Sequence, residues 1–348
     1  MKVLVTGHTG YIGAVLVPRL RDAGHEVVGL DTDFFAGCDF RAGLDDVPAL
    51  RTDLREVDQN ALVGFDAVIH LAALSNDPLG DLNTDCTYDI NHRASVRLAR
   101  LAKAAGVPRF LFSSSCSLYG VAAGDGLLAE DAAFNPVTAY GASKVRVEQD
   151  VAPLADATFS PTFLRNATAY GVSPRLRADL VVNNLVGFAY TTGEVLIASD
   201  GTPWRPLVHI EDISRAFLAV LEAPRDLVHN EAFNVGRTTE NYQIRDIADM
   251  VRDVVPGSRI KYAPGGGPDP RCYRVACDKI SQRLPEFKPQ WTVRHGIEQL
   301  YAAFKEHGLT AEEFLSTRYL RLKQIKKLQA AELLDDTLRW VAPAPGSR

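Results

Sequence analysis

The first 13 residues contain the feature that most constrains the fold of this chain. Gly7, Gly10 and Gly13 lie between the apolar run "KVLV" and the helix-forming run "AVLVPRLRDAG". Glycine lets a backbone approach a phosphate closely, and the N-terminus of the following helix offers free N–H groups and the positive end of its dipole. A strand, a glycine-rich turn and a helix in this order predict a nucleotide-binding βα unit, although a tight structural turn would show the same spacing.

Strands separated by helix-length segments continue through the N-terminal half. The apolar runs "EVVGLD", "AVIHLAA" and "RFLFSSS" alternate with helical patterns such as residues 94–106. This alternation indicates right-handed βαβ units and a parallel sheet that is covered on both faces. We predict an α/β fold, with a Rossmann-type doubly wound parallel sheet, a smaller C-terminal α/β substrate domain and a helical C-terminal extension.

Asp31 ends the second predicted strand, in the region where a nucleotide-binding unit carries an acidic residue. A carboxylate at this place can accept hydrogen bonds from both ribose hydroxyls of NAD, and it would repel the 2′-phosphate of NADP. No arginine follows immediately, which favours NAD as the cofactor. Asp53 and Leu54, in "RTDLRE", lie where a contact to adenine is expected, although Asp53 could instead cap a helix.

Composition argues against several other classes of function. The chain has 348 residues and a net charge of −5, which gives no reason to expect nucleic acid or a membrane surface as a partner. No apolar segment approaches the roughly 20 residues of a spanning helix, and no signal peptide is recognisable. The five cysteines show no metal-binding spacing. We expect a cytoplasmic protein without a metal site, and we interpret the basic run "RLKQIKK" as the solvated face of a helix.

The stretch "AYGASK" places Tyr140 and Lys144 four residues apart, on one face of a helix. Tyrosine has a pKa of about 10 in isolation, and a nearby ammonium group favours its phenolate form. A YxxxK match alone is common. It becomes specific here because a strand end rich in hydroxyl groups, "FLFSSSCSLYG" with Ser115, precedes it and a glycine-rich loop opens the chain.

Together these motifs resemble those of extended short-chain dehydrogenases/reductases, in the NAD-dependent nucleotide-sugar epimerase/dehydratase family, with UDP-galactose 4-epimerases as the nearest type. The resemblance covers roughly residues 1–300 and includes the glycine loop, "HLAA", "SSSCSLYG", "YGASK", "LRNATAYG", "RPLVHIED" and "FNVG". It implies that Tyr140 is the catalytic base and that Ser115 assists it. It also implies that Lys144 holds the nicotinamide ribose and lowers the pKa of the tyrosine.

The resemblance also assigns contacts to the cofactor and the substrate. Besides the tyrosine and the lysine, the expected NAD contacts are Gly7, Gly10, Tyr11, Ile12, Gly13, Asp31, Asp53, Leu54, Leu71, Ala72 and Ala73. The expected contacts to a nucleoside-diphosphate sugar are Ser115, Ser117, Thr168, Asn184, Arg205 and Arg271. Arg205 occupies the place of the arginine that grips the nucleotide diphosphate; a surface ion pair is its alternative role. Thr168 stands where the family usually has asparagine, and an asparagine appears two residues earlier as Asn166.

Cys116 and Ser117 distinguish between the reactions of this family. The 4,6-dehydratases carry an Asp-Glu pair immediately after the catalytic serine or threonine, and those two groups eliminate water from the sugar. A thiol and a hydroxyl are poor replacements for a carboxylic acid and a carboxylate. We therefore expect an epimerase rather than a dehydratase, with Cys116 as a small buried residue rather than an acid/base group.

The leading hypothesis is an NAD-dependent epimerase of a nucleoside-diphosphate sugar, which acts most simply at C4 through a transient 4-keto intermediate. Three alternatives stay open. The first is a dehydratase or decarboxylase of the same fold with a different acid/base set. The others are a redox-sensing NAD-binding protein without activity and a simple ketoreductase.

The domain organisation is expected to be interleaved. The NAD-binding domain is expected over residues 1–171, with 205–236 returning to it, and the substrate domain over 172–204 and 237–308. The helical extension covers 309–348, and its apolar residues could pack on the substrate domain or on a partner subunit; they are Phe314, Leu322, Ile325, Leu328 and Leu333. The resemblance further implies a homodimer formed through the helices around 94–104 and 140–152.

Overall fold

The computed structural model of the protein describes residues 1–42, 44, 46–75, 77–121, 126–264, 267 and 271–342. The strands in this part of the chain are β1 (Lys2–Thr6), β2 (Glu26–Asp31), β3 (Ala49–Arg51), β4 (Ala67–His70), β5 (Arg109–Ser115), β6 (Leu127–Leu128), β7 (Ser160–Asn166), β8 (Thr168–Tyr170), β9 (Glu194–Ile197), β10 (Trp204–His209), β11 (Glu231–Val235), β12 (Asn241–Gln243), β13 (Arg259–Tyr262) and β14 (Arg274–Val275). The α-helices are α1 (Gly13–Asp22), α2 (Asp77–Gly80), α3 (Thr84–Thr87), α4 (Ser95–Ala104), α5 (Ala139–Val151), α6 (Val181–Thr192), α7 (Ile210–Glu222), α8 (Arg225–Val228), α9 (Ile244–Val254), α10 (Asp278–Arg283), α11 (Val293–His307), α12 (Ala311–Phe314) and α13 (Arg321–Ala330). Within these residues, no helix is long and apolar enough to cross a membrane.

Seven parallel strands form the central sheet, in the order β3-β2-β1-β4-β5-β7-β11. The chain winds outward from β1 in one direction through β2 and β3, and in the other through β4 and the later strands. This arrangement confirms the predicted Rossmann-type doubly wound sheet. The carboxyl ends of all seven strands lie at one edge, and the crevice where the order reverses, between β1 and β4, is where such sheets bind ligands.

Helices cover both faces of the sheet, which explains the continuous apolar strands. Val3 and Val5 of β1 belong to a core that includes Leu16 of α1 and Phe217 of α7. Leu4, between them, belongs to a second core on the opposite face, together with residues of α4 and α5. Because successive side chains of a strand point to opposite faces, a strand buried on both sides needs apolar residues at every position.

Seven further strands form three smaller sheets among the described residues. β10 pairs in parallel with β8 and antiparallel with β12, β13 pairs with β9, and β14 pairs with β6. Strand β10 therefore lies outside the central sheet, whereas β11, which follows α7, is an edge strand of that sheet. The predicted domain boundaries, including the return of residues 205–236, stay a prediction.

The C-terminal extension packs on two different parts of the molecule. Phe314 is buried against Gly187 of α6 and in contact with Phe188 and Phe304. Further on, Ile325 and Leu328 of α13 are buried in a separate cluster, which includes apolar residues from the loops that follow β2 and β4. The extension thus joins the region around α6 and α11 to the edge of the central sheet.

His70, the last residue of β4, is buried in the centre of the sheet. Its Nδ1 atom lies 2.6 Å from Thr6 Oγ1, and its Nε2 atom lies 2.7 Å from Ser95 Oγ. Burial, together with the nearby ammonium group of Lys144, lowers the pKa of His70 to about 3. The folded protein therefore keeps this imidazole neutral under conditions in which an exposed histidine is already charged.

We expect His70 to make the folded protein sensitive to acid. Below a pH of about 6.5, the unfolded chain binds a proton at this histidine that the folded chain excludes until the pH nears its lowered pKa. The free energy of unfolding should therefore fall as the pH decreases. Between about pH 6 and 4, the free energy of unfolding of the wild type should fall by about 1.4 kcal/mol more per pH unit than that of the variant His70→Gln. Urea unfolding across this range measures the slopes, with the exposed His295→Gln as a control that should match the wild type. Equal slopes in the wild type and His70→Gln would contradict the account.

Candidate active site

A cavity of about 720 Å³ opens at the carboxyl edge of the central sheet, around the position where the strand order reverses. It brings together nearly all of the residues that the sequence predicted to contact a cofactor or a substrate. The predicted residues that line it are Gly7, Gly10, Tyr11, Ile12, Gly13, Asp31, Asp53, Leu54, Leu71, Ala72, Ala73, Ser115, Ser117, Tyr140, Thr168, Asn184, Arg205 and Arg271. Lys144, which is buried behind the cavity wall, is the exception among the predicted residues.

The glycine loop packs too tightly to admit side chains. Gly7 has a φ of 72°, and a Cβ atom there would lie 2.9 Å from the backbone nitrogen of Ala72. A Cβ atom on Gly13 would collide with the carbonyl oxygens of Gly7 and His8. No side chain of the described residues caps the N-terminus of α1. The positive end of the α1 dipole therefore has no side chain that competes with an anion, which fits the diphosphate of NAD.

The Asp31 carboxylate is held at the cavity wall by three hydrogen bonds. Thr9 donates to Oδ2 from its backbone N–H at 3.2 Å and from its hydroxyl at 2.8 Å. The backbone N–H of Asp33 donates to Oδ1 at 3.1 Å. A fixed carboxylate at the end of β2, beyond the glycine loop, fits the ribose hydroxyls of NAD.

Asp53 combines a cavity position with a structural role. Its carboxylate accepts two hydrogen bonds from the Arg55 guanidinium, at 2.6 and 2.9 Å, and one from the backbone N–H of Arg55 at 2.8 Å. The aspartate therefore caps a turn rather than a helix. The predicted contact to adenine stays a prediction.

Tyr140 and Lys144 lie one turn apart near the start of α5, as predicted. Thr138 caps this helix by accepting a hydrogen bond from the backbone N–H of Gly141 at 3.1 Å. The Lys144 ammonium donates to the carbonyl oxygen of Ser113 at 2.7 Å and lies 5.6 Å from the centre of the Tyr140 ring. Burial lowers the pKa of Lys144 to about 7, although the carboxylate of Glu148 acts in the opposite direction. The lysine is thus placed between the end of β5 and the tyrosine.

The hydroxyl of Ser115 is oriented by Ser117. Ser115 Oγ accepts a hydrogen bond from the backbone N–H of Ser117 at 3.1 Å and another from the Ser117 hydroxyl at 2.9 Å. A hydroxyl oxygen has two lone pairs and one proton. With both lone pairs engaged, Ser115 can only act as a hydrogen-bond donor toward a ligand in the cavity.

Cys116 is buried and does not line the cavity, which agrees with the expected role of a small core residue. Its thiol donates a hydrogen bond to the carbonyl oxygen of Arg165 at 3.1 Å. Burial raises the pKa of this thiol well above its usual value. A protonated, enclosed thiol cannot serve as a base for a ligand in the cavity.

Arg205, Arg271 and Asn184 all line the cavity. Arg205 is buried, and its Nη1 atom donates to the carbonyl oxygens of Trp204 and Arg271. The Asn184 amide donates to the carbonyl oxygen of Ala178 at 2.8 Å, which ties the start of α6 to the preceding loop. The Arg205 contact holds the two arginines beside each other, and the role of all three residues in binding a diphosphate stays a prediction.

Of the residues that line the cavity and were not among the predicted contacts, four carry polar groups that bear on ligand binding: Asn166, Arg177, Asp179 and Arg321. Asn166 donates to Ser113 Oγ at 3.1 Å, and its buried Oδ1 atom has no hydrogen-bond donor among the described residues. The sequence signal for Asn166 was its position two residues before Thr168, where the family usually has asparagine. Arg177 is bound by Asp179 at 2.9 and 3.0 Å and donates to Ser75 Oγ at 2.9 Å. The charged stretch "SPRLRAD" was the signal for this pair.

Arg321, the fourth, corrects the interpretation of the basic run "RLKQIKK". The run was expected to lie on the solvated face of a helix, and Lys323, Lys326 and Lys327 are indeed exposed. Its first residue, Arg321, is only 4% exposed and lines the cavity. The period of the apolar residues did not show this, because Arg321 is the first residue of α13 and is covered by segments that are distant in sequence.

Comparisons with known proteins agree with this site. The model of the NAD dependent epimerase/dehydratase family matches residues 3–236. The UDP-glucose 4-epimerase of Corynebacterium glutamicum is 29% identical over 313 residues, which are 85% of this chain and 92% of that protein. UDP-glucuronic acid decarboxylase 1 of Arabidopsis thaliana is 24% identical over 323 residues, 90% of this chain and 72% of that protein. The solved structure of MoeE5 in complex with UDP-glucuronic acid and NAD is 28% identical with a TM-score of 0.75, and the match covers 88% of this chain and 99% of that one.

We expect the variant Gly13→Ala to lose NAD. A Cβ atom at this position would force the loop away from the first turn of α1, and strain of about 1–3 kcal/mol corresponds to a loss of affinity of roughly 5- to 150-fold. The NAD that is released from the purified protein on denaturation, quantified per chain, measures the effect. Gly126→Ala is the control, because a Cβ atom there meets no atom within 4 Å. Equal NAD content in the two variants would show that the loop does not hold the cofactor.

Proposed function

The chain belongs to the NAD-dependent epimerase/dehydratase family, and on this premise we propose that it is an epimerase that inverts C4 of a nucleoside-diphosphate sugar. The observation that carries the proposal is the identity and surroundings of the two residues that follow Ser115. Cys116 is enclosed in the core, and Ser117 is engaged with the Ser115 hydroxyl. Neither residue can replace the acid/base pair that eliminates water.

The remaining carboxylates of the cavity support the same conclusion. Among the described residues that line it, the acidic ones are Asp31, Asp53 and Asp179. Asp31 ends β2 and Asp53 follows β3, and both are expected to lie at the adenosine half of NAD. Asp179 is bound by two nitrogen atoms of Arg177, and such a pair favours the ionised carboxylate. It is therefore a poor proton donor for a lyase.

Tyr140 would act as the base for the C4 hydroxyl of the sugar. The nearby Lys144 ammonium favours the phenolate, because a positive charge stabilises the deprotonated form of tyrosine. Ser115 would donate a hydrogen bond to the same sugar oxygen, since its own lone pairs are occupied by Ser117. In the return step, Tyr140 would give the proton back to the C4 oxygen. Bound NAD supplies the hydride acceptor for C4 and the hydride donor for the return.

The inversion requires that the sugar turn within the site while the nucleotide stays in place. Arg205 and Arg271 line the cavity beside each other, and guanidinium groups bind diphosphates well. The relatives support such a ligand, because the MoeE5 structure contains UDP-glucuronic acid and the Corynebacterium protein is a UDP-glucose 4-epimerase. With the diphosphate anchored at the arginines, rotation about its bonds would present either face of the 4-keto sugar to the cofactor.

We expect Tyr140→Phe to abolish turnover without loss of NAD. Removing a general base typically costs about 10²- to 10⁴-fold in rate. The measurement is the turnover of a UDP-sugar by the purified variant, together with its NAD content. Cys116→Ala is the matched control, because this residue lies beside the catalytic serine but outside the cavity, and it should keep near-normal turnover. Near-normal turnover of Tyr140→Phe would remove the tyrosine from the mechanism.

The product distinguishes the proposed epimerase from the alternative dehydratase or decarboxylase. The purified protein is incubated with a panel of UDP-, GDP-, CDP- and dTDP-sugars, and the products are analysed by mass spectrometry and NMR. A product with the mass of the substrate and an inverted C4 supports the epimerase. Loss of water or of carbon dioxide would reject it in favour of a lyase, which the similarity to UDP-glucuronic acid decarboxylase 1 keeps as the second candidate.

A further inference from the structure

The C-terminal segment, residues 309–342 of the described chain, lies across the loops that follow β2 and β4. Gln324 of α13 donates to the carbonyl oxygen of Phe34 at 3.3 Å, and the Trp340 indole donates to that of Thr32 at 2.8 Å. The guanidinium of Arg321 lies 3.8 Å from the centre of the Phe35 ring. This segment therefore covers the loop that begins directly after Asp31.

Arg321 is buried in this arrangement with part of its guanidinium unsatisfied. The side chain is 4% exposed and lines the cavity. Its Nη2 atom donates to the carbonyl oxygen of Arg175 at 3.5 Å, whereas its Nη1 atom has no hydrogen-bond acceptor among the described residues. A buried guanidinium N–H without an acceptor carries a desolvation penalty, so an anion at this place would be stabilising.

The charges around Arg321 do not balance. Arg175 is paired with Asp39 at 3.3 Å, and Arg177 is paired with Asp179 at 2.9 Å. Three guanidinium groups thus face two carboxylates, and Arg321 has the charge in excess. Burial and the field of Arg177 lower the pKa of Arg321 to about 9. The cluster of Arg175, Arg177 and Arg321 therefore has the chemistry of an anion-binding site.

The position of the cluster identifies which anion fits. The loop that carries Arg175 and Arg177 is attached to the glycine loop, because the Tyr11 hydroxyl donates to the carbonyl oxygen of Gly171 at 2.7 Å and Ser173 donates to that of Tyr11 at 2.9 Å. The cluster therefore lies near the N-terminus of α1, between Asp31 on one side and Tyr140 of α5 on the other. A dinucleotide with one ribose at Asp31 and the other near Tyr140 has its diphosphate in this interval.

We propose that Arg321 binds the diphosphate of NAD from the side opposite the glycine loop, so that the C-terminal segment supplies a ligand to the cofactor site. The proposal is independent of the reaction that the enzyme catalyses. The diphosphate accepts hydrogen bonds from the N-terminus of α1 on one side and from the Arg321 guanidinium on the other.

The rest of the segment is anchored in a way that keeps Arg321 in place. Arg55, which is held by Asp53, donates to the carbonyl oxygens of Thr337 and Leu338 at 2.8 and 3.1 Å. Together with the Trp340 contact, these bonds attach the part of the segment that follows α13 to the cofactor domain. A cofactor covered in this manner can leave only when the segment moves, so its release should be slow.

The test compares Arg321→Met with Lys326→Met, a control on the exposed face of the same helix. Isothermal titration of cofactor-stripped protein gives the Kd for NAD, for ADP-ribose and for UDP. Arg321→Met should bind NAD and ADP-ribose about 10- to 100-fold more weakly than the wild type, since a charge-assisted hydrogen bond is lost. UDP binding should not change, and Lys326→Met should match the wild type throughout.

Thermal unfolding supplies a readout that separates ligand binding from a structural role. Without NAD, Arg321→Met should melt at the same temperature as the wild type or higher, because an unpaired buried charge is removed. With saturating NAD, its melting temperature should lie below that of the wild type. Equal losses with and without NAD would assign Arg321 a structural role and overturn the proposal. Weaker binding of UDP with unchanged binding of ADP-ribose would overturn it as well, by placing Arg321 at the substrate.

Discussion

The close contact between the glycine loop and the end of β4 determines where the rest of the site can be built. Gly7 meets the backbone of Ala72 at a distance that leaves no room for a Cβ atom, and Gly13 meets the carbonyl oxygen of Gly7. This packing brings the N-terminus of α1 to the crevice between β1 and β4. Because parallel strands end at one edge of the sheet, Asp31, Ser115 and the later strand ends then surround the same crevice.

A buried polar network behind β5 holds the catalytic wall in position. The Glu148 carboxylate accepts hydrogen bonds from Ser114 at 2.5 Å and from Arg165 at 2.7 Å, and Arg165 also donates to the Tyr119 hydroxyl at 3.0 Å. Lys144 lies one turn before Glu148 on α5. Buried ion pairs contribute little net stability once their desolvation is counted, but removing one partner is costly. We interpret this network as a device that orients the serine-rich strand end toward the cavity.

Most of the residues that line the site could be predicted from the sequence because they belong to local motifs. Residues outside such motifs were missed. The glycines, Asp31, Ser115 and Tyr140 follow strands or begin helices at recognisable spacings, so each could be placed without knowing the tertiary structure. Strand β10 looked like any other buried strand, and only its partners β8 and β12 separate it from the central sheet. Arg321 was missed for the same reason, because its burial depends on loops that are distant in sequence.

The central claim, that C4 is oxidised and then reduced within one site, is tested most directly by the fate of the hydrogen on that carbon. The measurement uses a nucleoside-diphosphate sugar substrate with deuterium at C4 and follows the product by NMR and mass spectrometry in ordinary water. The account predicts that the deuterium stays on the inverted C4, since the hydride leaves and returns without exchange with solvent. Loss of the label from C4 would contradict it. Deuterium at C3 or C5 after turnover of the unlabelled sugar in deuterated water would also contradict it, and would indicate enolisation instead.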